Sequence, residues 1–285
     1  MKQNKLKLNK KLSLQIPFFM LNFIRNIIKK FLASKRYLYF LPKFLRLKIF
    51  NIRRLKLYNT KTGKYYLPQY AYKDMIRDSI INDIIFDDHI YRIAKEYIKP
   101  NSTVLDLGSN FGQLGILFSK TEQNVDVYCY EASKYIFDIL KKNIEINQVS
   151  AKAFNYIISD QSGIKMKIKT ATLKDYNTYG SNKVEIANDD FDNNFEEVEV
   201  KKIDDFTFDK KISFMKIDIQ GYDLMALKGS IKTILKHKMP IIFEYTPEFS
   251  EELKYTFADF ENFIDKINYY VVKKIDYYNY LILPK

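Results

Sequence analysis

At 285 residues, 47% hydrophobic and 28% charged, the chain is a folding protein with room for one sizeable domain and an appendage, which excludes wholesale disorder. Its single cysteine, Cys129, excludes an internal disulfide framework, and no apolar run approaches the ~18–20 residues needed to span a bilayer. The net charge of +13 is concentrated: residues 1–73 hold 19 Lys and Arg and no acid, leaving 28 basic against 34 acidic residues, so a catalytic groove built around nucleic acid is not expected.

Taken in chain order, residues 1–50 read as a basic amphipathic helical arm. From Phe18 to Leu32 the apolar residues Met20, Leu21, Phe23, Ile24, Ile27, Ile28, Phe31 and Leu32 share one side at 3.6 residues per turn. Asn22, Arg25, Asn26, Lys29 and Lys30 take the other. Such a helix suits an anionic membrane interface, although the same face would also serve to pack on its own domain or on another subunit. Gln15, Pro17 and Asn22 interrupt a secretory core and no small-residue cleavage site follows, so a secretory signal is not expected; with its lone cysteine the chain reads as cytoplasmic. A domain over 51–285 begins with a hairpin, Ile52–Tyr58 and Lys64–Leu67 around Asn59–Gly63. Asp88–Ile98 has helical periodicity and ends before Pro100; His89 at its start reads as solvated or capping rather than facing a ligand.

Val104–Gly115, VLDLGSNFGQLG, reads as a buried strand ending in a carboxylate, a glycine-bearing turn and the start of a helix. A second apolar run, Val125–Tyr130, ends in Glu131, nineteen residues beyond Gly112. Strand, turn, helix and an acid-tipped second strand form the arrangement that binds a ribose. The dinucleotide fingerprint is absent, because Asn110 and Gln113 stand where its second and third glycines belong. Adenosine without a pyrophosphate fits better and points to S-adenosylmethionine. Cys129 reads as an inert core thiol.

Strands and helices then alternate as in a parallel sheet with crossover helices. The expected elements are a helix over Ser133–Asn147, a third strand over Lys152–Ile158, about fifty irregular polar residues, and a fourth strand over Ile212–Ile219. A helix over Tyr222–Lys236, a fifth strand over Pro240–Tyr245, a helix over Phe257–Ile267 and a hairpin, Tyr269–Lys273 with Tyr280–Leu283, complete the domain. His237 is explained by the dipole at a helix end. Asp204 and Asp205 read as caps, and no compact spacing supports a metal.

The motifs VLDLGSNFG, YCYEAS, IISDQSG, KKIDDF, FMKIDIQGYDLMALKGS and IIFEY together resemble the FkbM-type methyltransferases over about Leu67–Tyr245. The resemblance implies a class I, Rossmann-like α/β fold: a mostly parallel sheet with a C-terminal antiparallel hairpin, to which the basic arm is an addition. It implies an S-adenosylmethionine-dependent O-methyltransferase of the kind found in polysaccharide and natural-product assembly. Asp106 then matches the acid that holds the cofactor ammonium, Gly108, Asn110 and Gly112 shape the turn, Glu131 holds the ribose, and Asp160 meets the adenine amino group, with Ile158 or Ser159 supplying shape or backbone. The family commonly has Glu where Gln220 stands, so that position is not expected to carry essential chemistry.

Asp218, near the end of the fourth strand, is the expected general base. Glu244, at the tip of the fifth, is a second base or an acceptor-orienting group. Lys216 shares a side with Asp218, since strand side chains alternate, and its pairing would hold that carboxylate ionised. These three could instead only tie strands to helices. The expected acceptor is a sugar hydroxyl of a surface or lipid-linked glycan at the inner membrane face. A small-molecule or protein acceptor, or a non-catalytic adapter on a methyltransferase fold, remains open, as does the oligomeric state.

Overall fold

Apolar runs buried on both faces build the centre of the molecule. In the computed structural model, β3 (Thr103–Leu107) and β9 (Ile212–Ile217) are buried at every position, which is what a parallel sheet covered on both sides requires. The structure describes residues 54–69, 74–169, 195–248 and 253–285; the arm expected over 1–50 lies outside them.

Seven strands form the main sheet in the order β11-β12-β10-β9-β3-β4-β5, where β4 is Asp126–Tyr130, β5 Ala151–Phe154, β10 Ile241–Glu244, β11 Tyr269–Lys274 and β12 Asn279–Pro284. The five from β10 to β5 run parallel; β12 is antiparallel to both β10 and β11. Alternation sorts the side chains. Leu105, Leu107, Tyr130, Met215, Ile217 and Phe243 pack with α5 (Asp223–Lys228), α6 (Ile231–His237) and α7 (Phe257–Lys266) on one face. Val104, Val127, Cys129, Phe214 and Ile242 pack with α2 (Asp88–Tyr97), α3 (Gln113–Ser119) and α4 (Lys134–Asn147) on the other.

The leading hairpin, β1 (Leu55–Asn59) with β2 (Lys64–Pro68), lies against α4. Asn143 on that helix is fully buried; its Oδ1 accepts from Tyr66 N–H at 2.6 Å and its Nδ2 donates to the Phe111 carbonyl at 2.9 Å. One amide thus joins the hairpin, a crossover helix and the turn after β3.

Four expectations change. The third strand ends at Phe154, because the Asn155 amide donates to the carbonyls of Glu131 and Ala132 at 2.9 and 2.7 Å. The chain then re-forms as β6 (Ile157–Ile158) in a second sheet, parallel to β8 (Phe195–Lys201), which pairs antiparallel with β7 (Lys165–Lys169). The region expected to be irregular therefore carries strands at both ends; residues 170–194 lie outside those described. The helix expected over Tyr222–Lys236 is two, divided at Gly229 and Ser230. A Cβ on Gly229 would stand 1.9 Å from the Ser159 carbonyl oxygen, so glycine is required where this break meets the second sheet's approach. An unforeseen helix, α1 (Met75–Ile81), is capped by Asp74, whose carboxylate accepts from Arg77 N–H at 2.8 Å.

His237 does end α6, but as a neutral acceptor. Its Nδ1 takes the Ile212 N–H at 3.0 Å, and burial, then Lys236 and Lys211, lower its pKa. Asp204 and Asp205 act as caps. Asp204 accepts from Lys232 and Thr233 N–H at 3.0 and 2.8 Å, closing the start of α6, and Asp205 accepts from Lys202 N–H at 3.3 Å. Among the described residues no group could hold a metal ion, and no helix is long and apolar enough to cross a membrane.

Candidate active site

At the carboxyl ends of the parallel strands a cavity of about 470 Å³ opens between the turn after β3, the ends of β4, β9 and β10, the loop before α2, and the tip of the β11–β12 hairpin. Open α/β sheets bind ligands at this end. Its first wall is the turn. Gly108 has φ +82°, and a Cβ there would fall 1.9 Å from the Asp218 carbonyl oxygen, so the backbones of turn and β9 exit touch through it. Its N–H and that of Ser109 both donate to the Tyr130 carbonyl, at 2.9 and 3.0 Å, while Asp218 N–H donates to Leu107 at 3.0 Å. The turn is fixed from both neighbouring strands.

Glu131 faces this turn. Its Oε2 accepts from Asn110 N–H at 3.0 Å and its Oε1 from Ser133 N–H at 2.9 Å. Burial outweighs these bonds and lifts its pKa to about 7. Each oxygen keeps a further lone pair for a ligand hydroxyl. Asp106 is fully buried and lines the same cavity, yet neither carboxylate oxygen has a hydrogen-bond partner among the described residues. Burial raises its pKa, with the Lys216 ammonium 3.7 Å away opposing the rise. A buried carboxylate without a donor beside a pre-set ribose acceptor fits a ligand carrying an ammonium and an adenosine, as S-adenosylmethionine does.

The remaining expected cofactor residues divide. Asn110, in the left-handed region at φ +49°, lines the cavity. Gly112 does not; a Cβ there would meet Leu140 Cδ1 at 2.5 Å, so its bareness admits α4. Asp160 also lies outside the lining and accepts from the Ser159 hydroxyl at 3.2 Å, whereas Ile157 and Ile158 line the cavity. Cys129 is buried beside Asp106, and burial pushes its thiol well up, as an inert thiol requires.

The second half of the cavity is built around one lysine. Lys216 and Asp106 are direct register partners on β9 and β3. The Lys216 Nζ lies 3.3 Å from Asp218 Oδ2 and donates to the Gly108 carbonyl at 3.2 Å. Burial works against this ammonium, but Asp218, Asp106 and Asp87 outweigh it and hold its pKa above the ordinary lysine range. Gln220 Nε2 donates to Asp218 Oδ1 at 3.2 Å, so the glutamine positions the aspartate. Glu244 is lifted to about 9 by burial, Asp218 and Asp223, and its buried Oε2 has no hydrogen-bond partner among the described residues. Near neutral pH it is protonated and offers a donor.

Two acids that sequence reasoning missed complete the set. Asp87 lines the cavity with φ +57°, its pKa raised to about 6 by burial and Asp218. Its only sequence signal was an acid before a helix. Asp223 is fully buried and accepts from Glu244 N–H at 3.1 Å and Ile219 N–H at 3.4 Å, and burial and Asp218 lift it to about 7. It lies in the DIQGYD stretch, where only its neighbours marked it. His89, expected to be solvated or capping, pairs with Asp276, a cavity residue, at 2.5 Å.

This strand order, with a terminal antiparallel hairpin and a ligand cavity at the carboxyl edge, is the class I methyltransferase fold, whose cofactor is S-adenosylmethionine. The family model described as the methyltransferase FkbM domain matches residues 106–271, more than half of the chain. The chain belongs to the FkbM methyltransferase family. No curated protein matches it. Among solved structures it is similar to the methyltransferase FkbM from Methylobacillus flagellatus KT, at 16% identity and a TM-score of 0.41 over 75% of this chain and 62% of that one. It is also similar to a TehB-like SAM-dependent methyltransferase from Corynebacterium glutamicum, at 10% identity and 0.44 over 73% and 93%. A Pyrococcus abyssi tRNA uracil methyltransferase, solved with S-adenosyl-L-homocysteine, gives 12% and 0.41 over 80% and 43%. The chain thus spans under two thirds of the length of the first and last of these.

Proposed function

We propose that this methyltransferase transfers its methyl group to a hydroxyl, and that the acceptor is a sugar of a surface polysaccharide or lipid-linked glycan precursor. The observation that carries the reading is the Asp218 carboxylate, fixed at the cavity by Lys216 on one oxygen and Gln220 on the other. Bound S-adenosylmethionine supplies a methyl carbon already activated by a sulfonium. The protein has only to align the acceptor oxygen and take its proton. An alcohol is a poor acid, so Asp218 accepts the proton as the oxygen attacks. Glu244, protonated beside it, orients the acceptor by donating a hydrogen bond. Lys216, 3.3 Å from Asp218 Oδ2, holds that carboxylate in place.

The family favours a glycan, and the basic arm over 1–50 suits an acceptor made at the inner membrane face, to which the arm would hold the enzyme. The test is mass spectrometry of surface glycans from cells with and without the protein. Loss of one methyl from a defined sugar position is expected. Identical glycans in both strains would refute the acceptor assignment.

A further inference from the structure

The acceptor end of the cavity has a one-sided charge. Asp87, Asp218 and Asp276 line it as carboxylates, Glu244 stands among them in its protonated form, and Lys216 is the only cationic side chain among the described lining residues. That lysine is already engaged by Asp106 at 3.7 Å, Asp218 at 3.3 Å and the Gly108 carbonyl at 3.2 Å. Among the described lining residues a phosphate or carboxylate on the acceptor would find no free cation and would meet the Asp87, Asp218 and Asp276 carboxylates, an arrangement that suppresses wrong partners. The acids already repel one another: Asp218 raises both Asp87 and Glu244, and Asp276 adds to Asp87.

The rim supplies a second, independent feature. Tyr277 is 69% exposed, the most exposed of the large hydrophobic side chains described, and it lines the cavity. Its position is built rather than loose. Asp276 Oδ1 accepts from Tyr278 and Asn279 N–H, each at 2.8 Å, its Oδ2 accepts from Asn279 Nδ2 at 2.9 Å, and His89 Nε2 of α2 lies 2.5 Å from that Oδ2. The Tyr278 ring meets Tyr277 edge-on at 4.7 Å, and the Lys274 Nζ lies over the Tyr277 ring at 5.3 Å, which leaves the opposite ring face for a ligand. A fixed, solvent-facing aromatic ring beside an array of hydrogen-bonding groups matches a ligand with an apolar face and a hydroxylated edge.

Building on the hydroxyl-methylation reading above, we propose that this end of the cavity takes a neutral or amino saccharide, seated on the Tyr277 ring, and rejects saccharides with a negative charge near the reacting hydroxyl. The test uses the full chain loaded with S-adenosylhomocysteine and ligand-observed saturation-transfer NMR. The probes are methyl glucoside, methyl glucosaminide, methyl glucuronide, glucose 1-phosphate and, as a non-sugar cation, arginine methyl ester. The first two should bind, and the two anionic probes should bind about tenfold more weakly or worse. Tyr277→Ala and Tyr277→Leu should each weaken the glucoside about tenfold with unchanged S-adenosylhomocysteine affinity, while Tyr277→Phe retains it. Asp87→Asn should narrow the gap between glucoside and glucuronide.

Glucuronide or phosphate binding as tightly as glucoside would overturn the charge selection and leave the glycan reading intact. Undiminished glucoside binding in both Tyr277→Ala and Tyr277→Leu would overturn the platform. If arginine methyl ester binds in a Tyr277-dependent way and no glycoside does, the saccharide and the glycan reading fall together. Silence from every probe overturns the proposal.

Discussion

Two side chains carry the sharpest expectations at the scale of single residues. Glu131 accepts two backbone N–H groups and has lone pairs left for a ribose. Glu131→Ala should weaken both S-adenosylmethionine and S-adenosylhomocysteine by about tenfold to a hundredfold, since a charged hydrogen-bond partner contributes about 1.5–3 kcal/mol. Calorimetry reads this directly, and unchanged affinities in a folded variant would remove Glu131 from the cofactor site. Asp218→Asn keeps shape and the contact to Lys216 while losing the base. Turnover should fall by about 10²–10⁴ with cofactor affinity largely retained. Near-normal turnover would make Asp218 structural. Glu244 is a poor replacement, because at neutral pH its proton is already in place.

Among the elements, α6 owes its start to a residue far away in sequence. Asp204 accepts from Lys232 and Thr233 N–H, so Asp204→Ala should cost about 0.5–2 kcal/mol of stability, the usual range for a lost cap, read as a lower denaturation midpoint. A midpoint equal to wild type would show that water replaces the cap. This contact also explains what the sequence left hidden. Periodicity over 222–236 suited one helix, but the break at Gly229 answers the Ser159 carbonyl, a partner from another part of the chain. The apolar run over 152–158 likewise gave no hint that Asn155 would pull the strand out of the main sheet. By contrast, β3, its turn and β4 were legible, because their pattern is local: a buried run, an acid, a glycine at positive φ. The same logic divides the site. Asp106, Glu131 and Asp218 announce themselves at strand ends, whereas Asp87 and Asp223 gain their roles only from neighbours brought by folding.

Over the whole molecule, several acids hold protons that an unfolded chain would release. Asp223 rises from 3.8 to about 7, and Glu131 from 4.5 to about 7. As pH climbs through that window the folded state binds more protons than the unfolded one, so stability falls with rising pH. The cofactor-free protein should therefore melt at lower temperature near neutral pH than at about pH 5, with a shallower slope in Asp223→Asn. An equal slope in that variant would deny Asp223 its share. The arm over 1–50, outside the described residues, carries a separate expectation. Intact protein should float with anionic vesicles, less so in high salt, whereas an Ile24→Asp, Ile28→Asp double variant should not. Equal flotation of both, or of neither, would leave the arm as a packing or dimer-forming helix.

Lys216 joins the two halves of the cavity: one ammonium faces Asp106, Asp218 and the Gly108 carbonyl. Such a shared counterion removes modularity. A lineage or an engineer seeking a new acceptor by altering Asp218 necessarily changes the field felt at Asp106, so selectivity and cofactor affinity drift together instead of being tuned one at a time. Adaptation of this enzyme is therefore easier at the rim, where Tyr277 can change without disturbing that shared charge.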